Sequence, residues 1–218
     1  MIWPTMSLDN FFEDPDKIVK FANSFEFKPD PNGKWPGKRT DLLHVLDPIF
    51  FNFFSAKVLS VLYPMNFKDM SYKVRLYFQK ISNDHVNNGW IHTDYSSEVT
   101  AIVYLSKHKE CGTSLFECKD PYPKMLHVLE KEKTYLHKNF KEEKEYLDKN
   151  NNQFEETISL KSRYNRLVMF DSSQFHAAQK FKENNIEEDR MTLIGFFVNA
   201  DVFFLIAHKN NIQQGFFY

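Results

Sequence analysis

From Ser71 the apolar residues fall at every second position. Tyr72, Val74, Leu76 and Phe78 alternate with Lys73, Arg75, Tyr77 and Gln79, which is the signature of a half-buried strand. Val99 to Leu105 is a continuous β-branched and aromatic run suited to a central strand. Gly112–Glu117, Thr157–Leu160, Arg166–Phe170, Phe175–Ala178 and Met191–Asn199 read as further strands. The total of about eight strands fits a double-stranded β-helix of the jelly-roll class.

The part before Ser71 reads differently. Asp14-Pro15 and Asp47-Pro48 each pair a capping carboxylate with a proline suited to a first helical turn. Ile18, Val19, Phe21, Ala22 and Phe25 then recur at helical spacing, as do Phe50, Phe51, Phe54, Val58, Leu59 and Leu62. Pro29 to Gly37, rich in proline and glycine, must be loop. The expected fold is mainly β with flanking α-helices. A single domain spans 1–218, with helical support over 1–70, a jelly-roll core over 71–118 and 155–200, and a charged helical insertion over 119–154. That insertion is rich in Lys and Glu and carries Met125, Leu126, Leu129, Tyr135 and Leu136 at near-helical intervals. It reads as a solvated excursion, with a lid or partner-binding element as the functional alternative.

Composition excludes several functions. The formal net charge is −1 with no basic stripe, so general nucleic-acid binding is not expected. The first ten residues lack a signal-peptide pattern, and no apolar run approaches the ~18 residues of a membrane span, so a cytoplasmic protein is expected. Cys111 and Cys118 are too few and wrongly spaced for a disulfide framework or a zinc knuckle.

The chemistry concentrates in four residues. His92 and Asp94 stand two apart in Gly-Trp-Ile-His-Thr-Asp-Tyr. On an extended segment such residues point the same way, so both can reach one metal. His176 follows the strand Leu167–Phe170 and the turn Asp171-Ser172-Ser173, and Arg190 opens the next strand. Two imidazoles and a carboxylate fill one face of an octahedral metal and suit Fe(II). Arg190 offers a planar fork for a carboxylate. The other six histidines read as background.

From Tyr72 to Asn199 the chain resembles the Fe(II)/2-oxoglutarate-dependent dioxygenase superfamily, nearest its prolyl 4-hydroxylase-like branch. His92-Thr93-Asp94 matches the family's HxD. Cys111-Gly112-Thr113-Ser114-Leu115-Phe116 resembles its Gly-Gly-x-x-x-Phe, with cysteine replacing the first glycine. Arg166 to Asp171, with Phe175-His176, matches the strand, turn and distal histidine. Arg190-Met191-Thr192 resembles the Arg-x-Ser/Thr of branches that place arginine on 2-oxoglutarate; prolyl hydroxylases commonly place lysine there, which weakens proline as the substrate. The pattern also resembles small bacterial and phage oxygenases of unsettled substrate.

The resemblance implies roles. His92, Asp94 and His176 would bind Fe(II) and carry the catalysis. Arg190, Thr192 and Tyr77 would hold 2-oxoglutarate. O2 would be consumed, succinate and CO2 released, and a small molecule or exposed side chain oxidised. Arg75 shares Tyr77's face and could touch cosubstrate or substrate, but a structural ion pair is the expectation. Two rivals use the same fold: a cupin-like metalloprotein that uses no 2-oxoglutarate, distinguished by Arg190, and a catalytically inactive binding module, distinguished by metal content. Substrate and oligomeric state leave no sequence signal.

Overall fold

Both Asp-Pro signals start helices in the computed structural model of the chain, which describes residues 3–65, 70–82, 85, 88–120, 140–202, 204–208 and 211–215. Helix α1 (Pro15–Asn23) is capped by Asp14, whose carboxylate accepts the Lys17 N–H. Helix α3 (Pro48–Leu62) is capped in the same way by Asp47 and the Phe50 N–H. A single turn, α2 (Leu43–Leu46), precedes it. Each cap satisfies an amide that the first helical turn leaves without a partner.

Residues 1–70 are more than helical support. Strand β1 (Met6–Leu8) pairs antiparallel with β8 (Leu167–Asp171) and forms one edge of the main sheet. Strands β2 (Lys28–Pro29) and β3 (Lys38–Arg39) lie at the opposite edge, beside β4 (Met70–Ile81). Segments of two or three residues are too short to carry a period, so only pairing with a long neighbour reveals them.

The main sheet has seven strands in the order β1-β8-β5-β10-β4-β3-β2, with β5 (Val99–Tyr104) and β10 (Arg190–Val202) at its centre. Strands β6 (Thr113–Cys118), β7 (Phe154–Leu160) and β9 (Phe175–Ala178) form a second sheet, ordered β7-β6-β9. Alternation divides the main sheet's two faces. Val74, Leu76, Phe78, Val103, Leu193 and Phe197 share a core with Phe54, Val58 and Leu59 of α3. The intervening residues Ile102, Tyr104, Val168, Phe170 and Ile194 pack with Leu115 of the second sheet. Two facing antiparallel sheets with helices behind the larger one are the jelly-roll expected from the strand pattern.

The insertion contains α4 (Phe140–Asn151). Met125, Leu126, Leu129, Tyr135 and Leu136, with His127 and His137, lie outside the described residues. The strands also extend past their expected limits: β7 begins at Phe154, β10 continues to Val202, and β11 (Phe204–His208) pairs with β12 (Asn211–Gly215) in a separate two-stranded sheet.

Candidate metal centre and cavity

The segment from Gly89 to His92 acts as a fourth strand of the second sheet. Gly89 N–H donates to the Ala178 carbonyl at 3.0 Å, and His92 and His176 exchange backbone hydrogen bonds at 3.1 and 2.8 Å. Only glycine fits at position 89, since a Cβ there would lie 2.6 Å from the Ala178 nitrogen. The other edge of this segment is closed by side chains. Asn151 Oδ1 accepts the Ile91 N–H at 3.0 Å, and Asn151 Nδ2 donates to the Gly89 carbonyl at 3.0 Å. Asn150 Nδ2 donates to the Ile91 carbonyl, also at 3.0 Å. The two asparagines thus pair the backbone as a neighbouring strand would.

Two residues on, Asp94 N–H donates to the Ser172 carbonyl at 2.8 Å. Asp171 builds that turn, accepting both the N–H and hydroxyl of Ser173. Its second oxygen takes the Trp3 N–H at 3.0 Å. Burial raises the Asp171 pKa, but these hydrogen bonds from Ser173 and Trp3 outweigh it and hold the carboxyl below its ordinary value. One turn therefore anchors Asp94 and leads directly into His176.

The structure brings His92, Asp94 and His176 together, with one ligand atom from each within 4.8 Å of the others. Among the described residues this is the one such cluster of three. His92 Nδ1 lies 2.7 Å from the Trp90 carbonyl and His176 Nδ1 lies 2.8 Å from the Gln174 carbonyl. A carbonyl only accepts, so each Nδ1 carries a hydrogen and each Nε2 is the nitrogen turned toward Asp94. Those Nε2 atoms face Asp94 oxygens at 3.7 and 3.2 Å. Two Nε2 atoms and one carboxylate therefore converge on a single point. Carbonyl-anchored imidazoles are the usual outer support of metal ligands. The residues fit a divalent metal such as Fe(II).

A cavity of about 280 Å³ opens in front of the triad, between the two sheets. Arg190 lines it and is only 4% exposed. Its Nε donates to the Cys111 carbonyl at 3.1 Å, and its guanidinium lies 5.8 Å from the Tyr104 ring centre. Among the described residues no carboxylate pairs with it. Burial lowers its pKa, yet an arginine keeps its charge at neutral pH. A buried, permanent cation without a counterion is poised for an anionic ligand. Beside it Thr192 is fully buried, with no partner for its hydroxyl among the described residues. Cys111 is not a reactive thiol, because burial pushes it up to about 11.

Tyr77 also lines the cavity, beneath the guanidinium of Arg39 at 5.4 Å. Among the described residues no ion pair of Arg75 is seen; its Nη2 instead donates to the hydroxyl of exposed Ser96 at 2.7 Å. Sequence reasoning did not single out Arg39, Trp35, Asn150 or Asn151 as site residues. The first two come from the Pro/Gly-rich segment and its flank, which has no period. The asparagines look like an ordinary helix end. Gln79, two residues beyond Tyr77 and also on the cavity wall, was within reach of the same alternation.

Residues 3–197 match DUF6445, described as a family of unknown function. No curated protein matches the sequence. Among solved structures, HygX from Streptomyces hygroscopicus, with nickel, 2-oxoglutarate and hygromycin B bound, is 14% identical. It aligns over 88% of this chain and 82% of its own with a TM-score of 0.56. A 2OG-Fe(II) oxygenase family oxidoreductase from Burkholderia pseudomallei is 9% identical, over 88% and 83%, with a TM-score of 0.51. The non-heme alpha ketoglutarate dependent epimerase SnoN from nogalamycin biosynthesis is 9% identical, over 92% and 79%, with a TM-score of 0.54. At such identities the likeness is one of fold: the chain has the jelly-roll of the Fe(II)/2-oxoglutarate oxygenases.

Proposed function

The chain belongs to the DUF6445 family, and from its site we propose that it is an Fe(II)- and 2-oxoglutarate-dependent dioxygenase. The observation that carries this is the joining in one cavity of the convergent triad and the buried Arg190, which has no carboxylate partner among the described residues. That HygX and SnoN were crystallised with 2-oxoglutarate and a metal supports it.

His92, Asp94 and His176 would hold Fe(II) through two Nε2 atoms and a carboxylate oxygen. Bound there, Fe(II) supplies O2 activation coupled to oxidative decarboxylation, so that substrate C–H, 2-oxoglutarate and O2 give hydroxylated substrate, succinate and CO2. The chain's residues hold and orient the reactants. Arg190 pairs with the distal carboxylate of 2-oxoglutarate in a charge-assisted fork. The Thr192 hydroxyl donates to the same carboxylate, and Tyr77 lies along the cosubstrate's wall. Ile102 and Ile194 keep that wall dry, as radical chemistry needs. HygX and SnoN were solved with hygromycin B and nogalamycin RO, and a cavity of this size suits a small molecule or one side chain.

The test is succinate formation from 2-oxoglutarate by the iron-loaded protein in air. We expect slow turnover that is lost in His176→Ala. An iron-replete protein that neither binds nor consumes 2-oxoglutarate contradicts the reading and favours a cupin-like metalloprotein.

A further inference from the structure

Strand β5 is apolar from Val99 to Val103 except at Thr100. Val99, Ala101 and Val103 belong to the core shared with α3, whereas Thr100 and Ile102 line the cavity. A valine at position 100 would have the same branched shape, so the hydroxyl is what distinguishes the residue chosen. Thr100 is 2% exposed, and Ser172, in the turn after β8, is 0% exposed. With so little surface open to solvent, both hydroxyls need partners within the protein. Among the described residues they have each other and Asp94. Thr100 Oγ1 lies 2.8 Å from Ser172 Oγ and donates to Asp94 Oδ2 at 3.4 Å.

These contacts have one direction. As a carboxylate, Asp94 only accepts, so the Thr100 hydrogen points to it. Thr100 then accepts from Ser172. Two hydroxyls thus form a relay, from Ser172 through Thr100, that ends on a candidate metal ligand. Each bond in such a chain polarises and strengthens the next.

The backbone of Ser172 holds the same aspartate a second time. Its carbonyl accepts the Asp94 N–H at 2.8 Å, and its own N–H donates to the Glu98 carbonyl at 2.9 Å. The amide bond fixes where Asp94 stands on the chain but leaves its side-chain torsions free. Thr100 restrains those. Carboxylate rotation matters here, because Oδ2 stands 3.2 Å from His176 Nε2 and Oδ1 3.7 Å from His92 Nε2. A turn about the last torsion moves both oxygens away from the point on which the imidazoles converge.

We propose that Thr100 is a positioning residue for the metal, holding the Asp94 carboxylate in its binding orientation, and that Ser172 acts through it. This role rests on the reading of the triad as a metal centre; it does not depend on 2-oxoglutarate. Packing alone would need only the shape of Thr100, whereas the relay needs its hydroxyl.

Titration of the full chain with Co(II), followed by visible absorption, tests the proposal, since the Co(II) bands report both affinity and coordination geometry. Thr100→Val keeps the shape and removes the hydroxyl. We expect it to bind Co(II) about ten- to hundredfold more weakly, with altered bands. Thr100→Ser keeps the hydroxyl and should restore the wild-type bands. Ser172→Ala should weaken binding about two- to tenfold, and should add nothing in the Thr100→Val background, where the relay is already cut. Wild-type affinity and bands in Thr100→Val overturn the proposal. So does a Thr100→Ser variant no better than Thr100→Val, or a Ser172→Ala effect of full size in the Thr100→Val background. All three leave the metal centre standing. Should Thr100→Val not fold, Ser172→Ala decides, with wild-type affinity and bands overturning the proposal. Co(II) binding that follows Thr100 in a protein with no affinity for 2-oxoglutarate keeps the relay and removes the dioxygenase reading. Wild-type protein that takes up no Co(II) overturns both.

Discussion

The hydrogens on His92 Nδ1 and His176 Nδ1 are committed to carbonyls, so each ring turns its Nε2 toward the Asp94 carboxylate. We predict that Asp94→Asn, which keeps the shape but not the anionic donor, loses metal binding while its metal-free melting temperature stays close to that of metal-free wild type. A clearly lower melting temperature would mean the carboxylate serves the fold rather than a metal. For Arg190→Ala we predict about ten- to hundredfold weaker 2-oxoglutarate binding with unchanged metal content, read by titration and metal analysis. The spacing of His92 and Asp94 made their convergence legible, because residues two apart on a strand share a face. Arg190 was legible as the head of a strand, but its missing counterion was not, since pairing across sheets leaves no trace in a sequence.

At the scale of elements, the segment Gly89–His92 depends on neighbours distant in the chain. Asn151 makes two hydrogen bonds to its backbone, and Leu147 of α4 packs with Trp90. Asn151→Ala should free the Ile91 amide and the Gly89 carbonyl, at about 1–3 kcal/mol for buried groups left unpaired. We expect faster hydrogen exchange at Ile91 and weaker metal binding, with the melting of the main sheet little changed. Exchange unaltered at Ile91 would mean the clamp is not formed in solution. Charge and helical spacing announced the helix, but the insertion's support of the His92 segment was hidden in Asn150 and Asn151, which look like a helix stop. A second element-scale effect sits just past the end of β5. His108 is 1% exposed, and burial holds it below the ordinary histidine value. The unfolded chain takes up a proton near pH 6.5 that the folded one resists. His108 thus contributes stability fully present above that pH and lost as pH falls toward the lower folded value. Denaturant midpoints from pH 8 to 5.5 should fall less in His108→Gln than in wild type.

For the molecule as a whole, the jelly-roll was readable because its long strands are buried on one face and meet a cavity on the other, which forces the alternation seen from Ser71. The edge strands of residues 1–70 were not readable, being shorter than any period. The two sheets, the triad and Arg190 make one claim about function, and an anaerobic visible spectrum tests it most directly. The protein with Fe(II) is recorded before and after 2-oxoglutarate. The account predicts a new weak charge-transfer band, absent in His92→Ala and needing more 2-oxoglutarate in Arg190→Ala. Iron bound with no band, at any 2-oxoglutarate concentration, would contradict it.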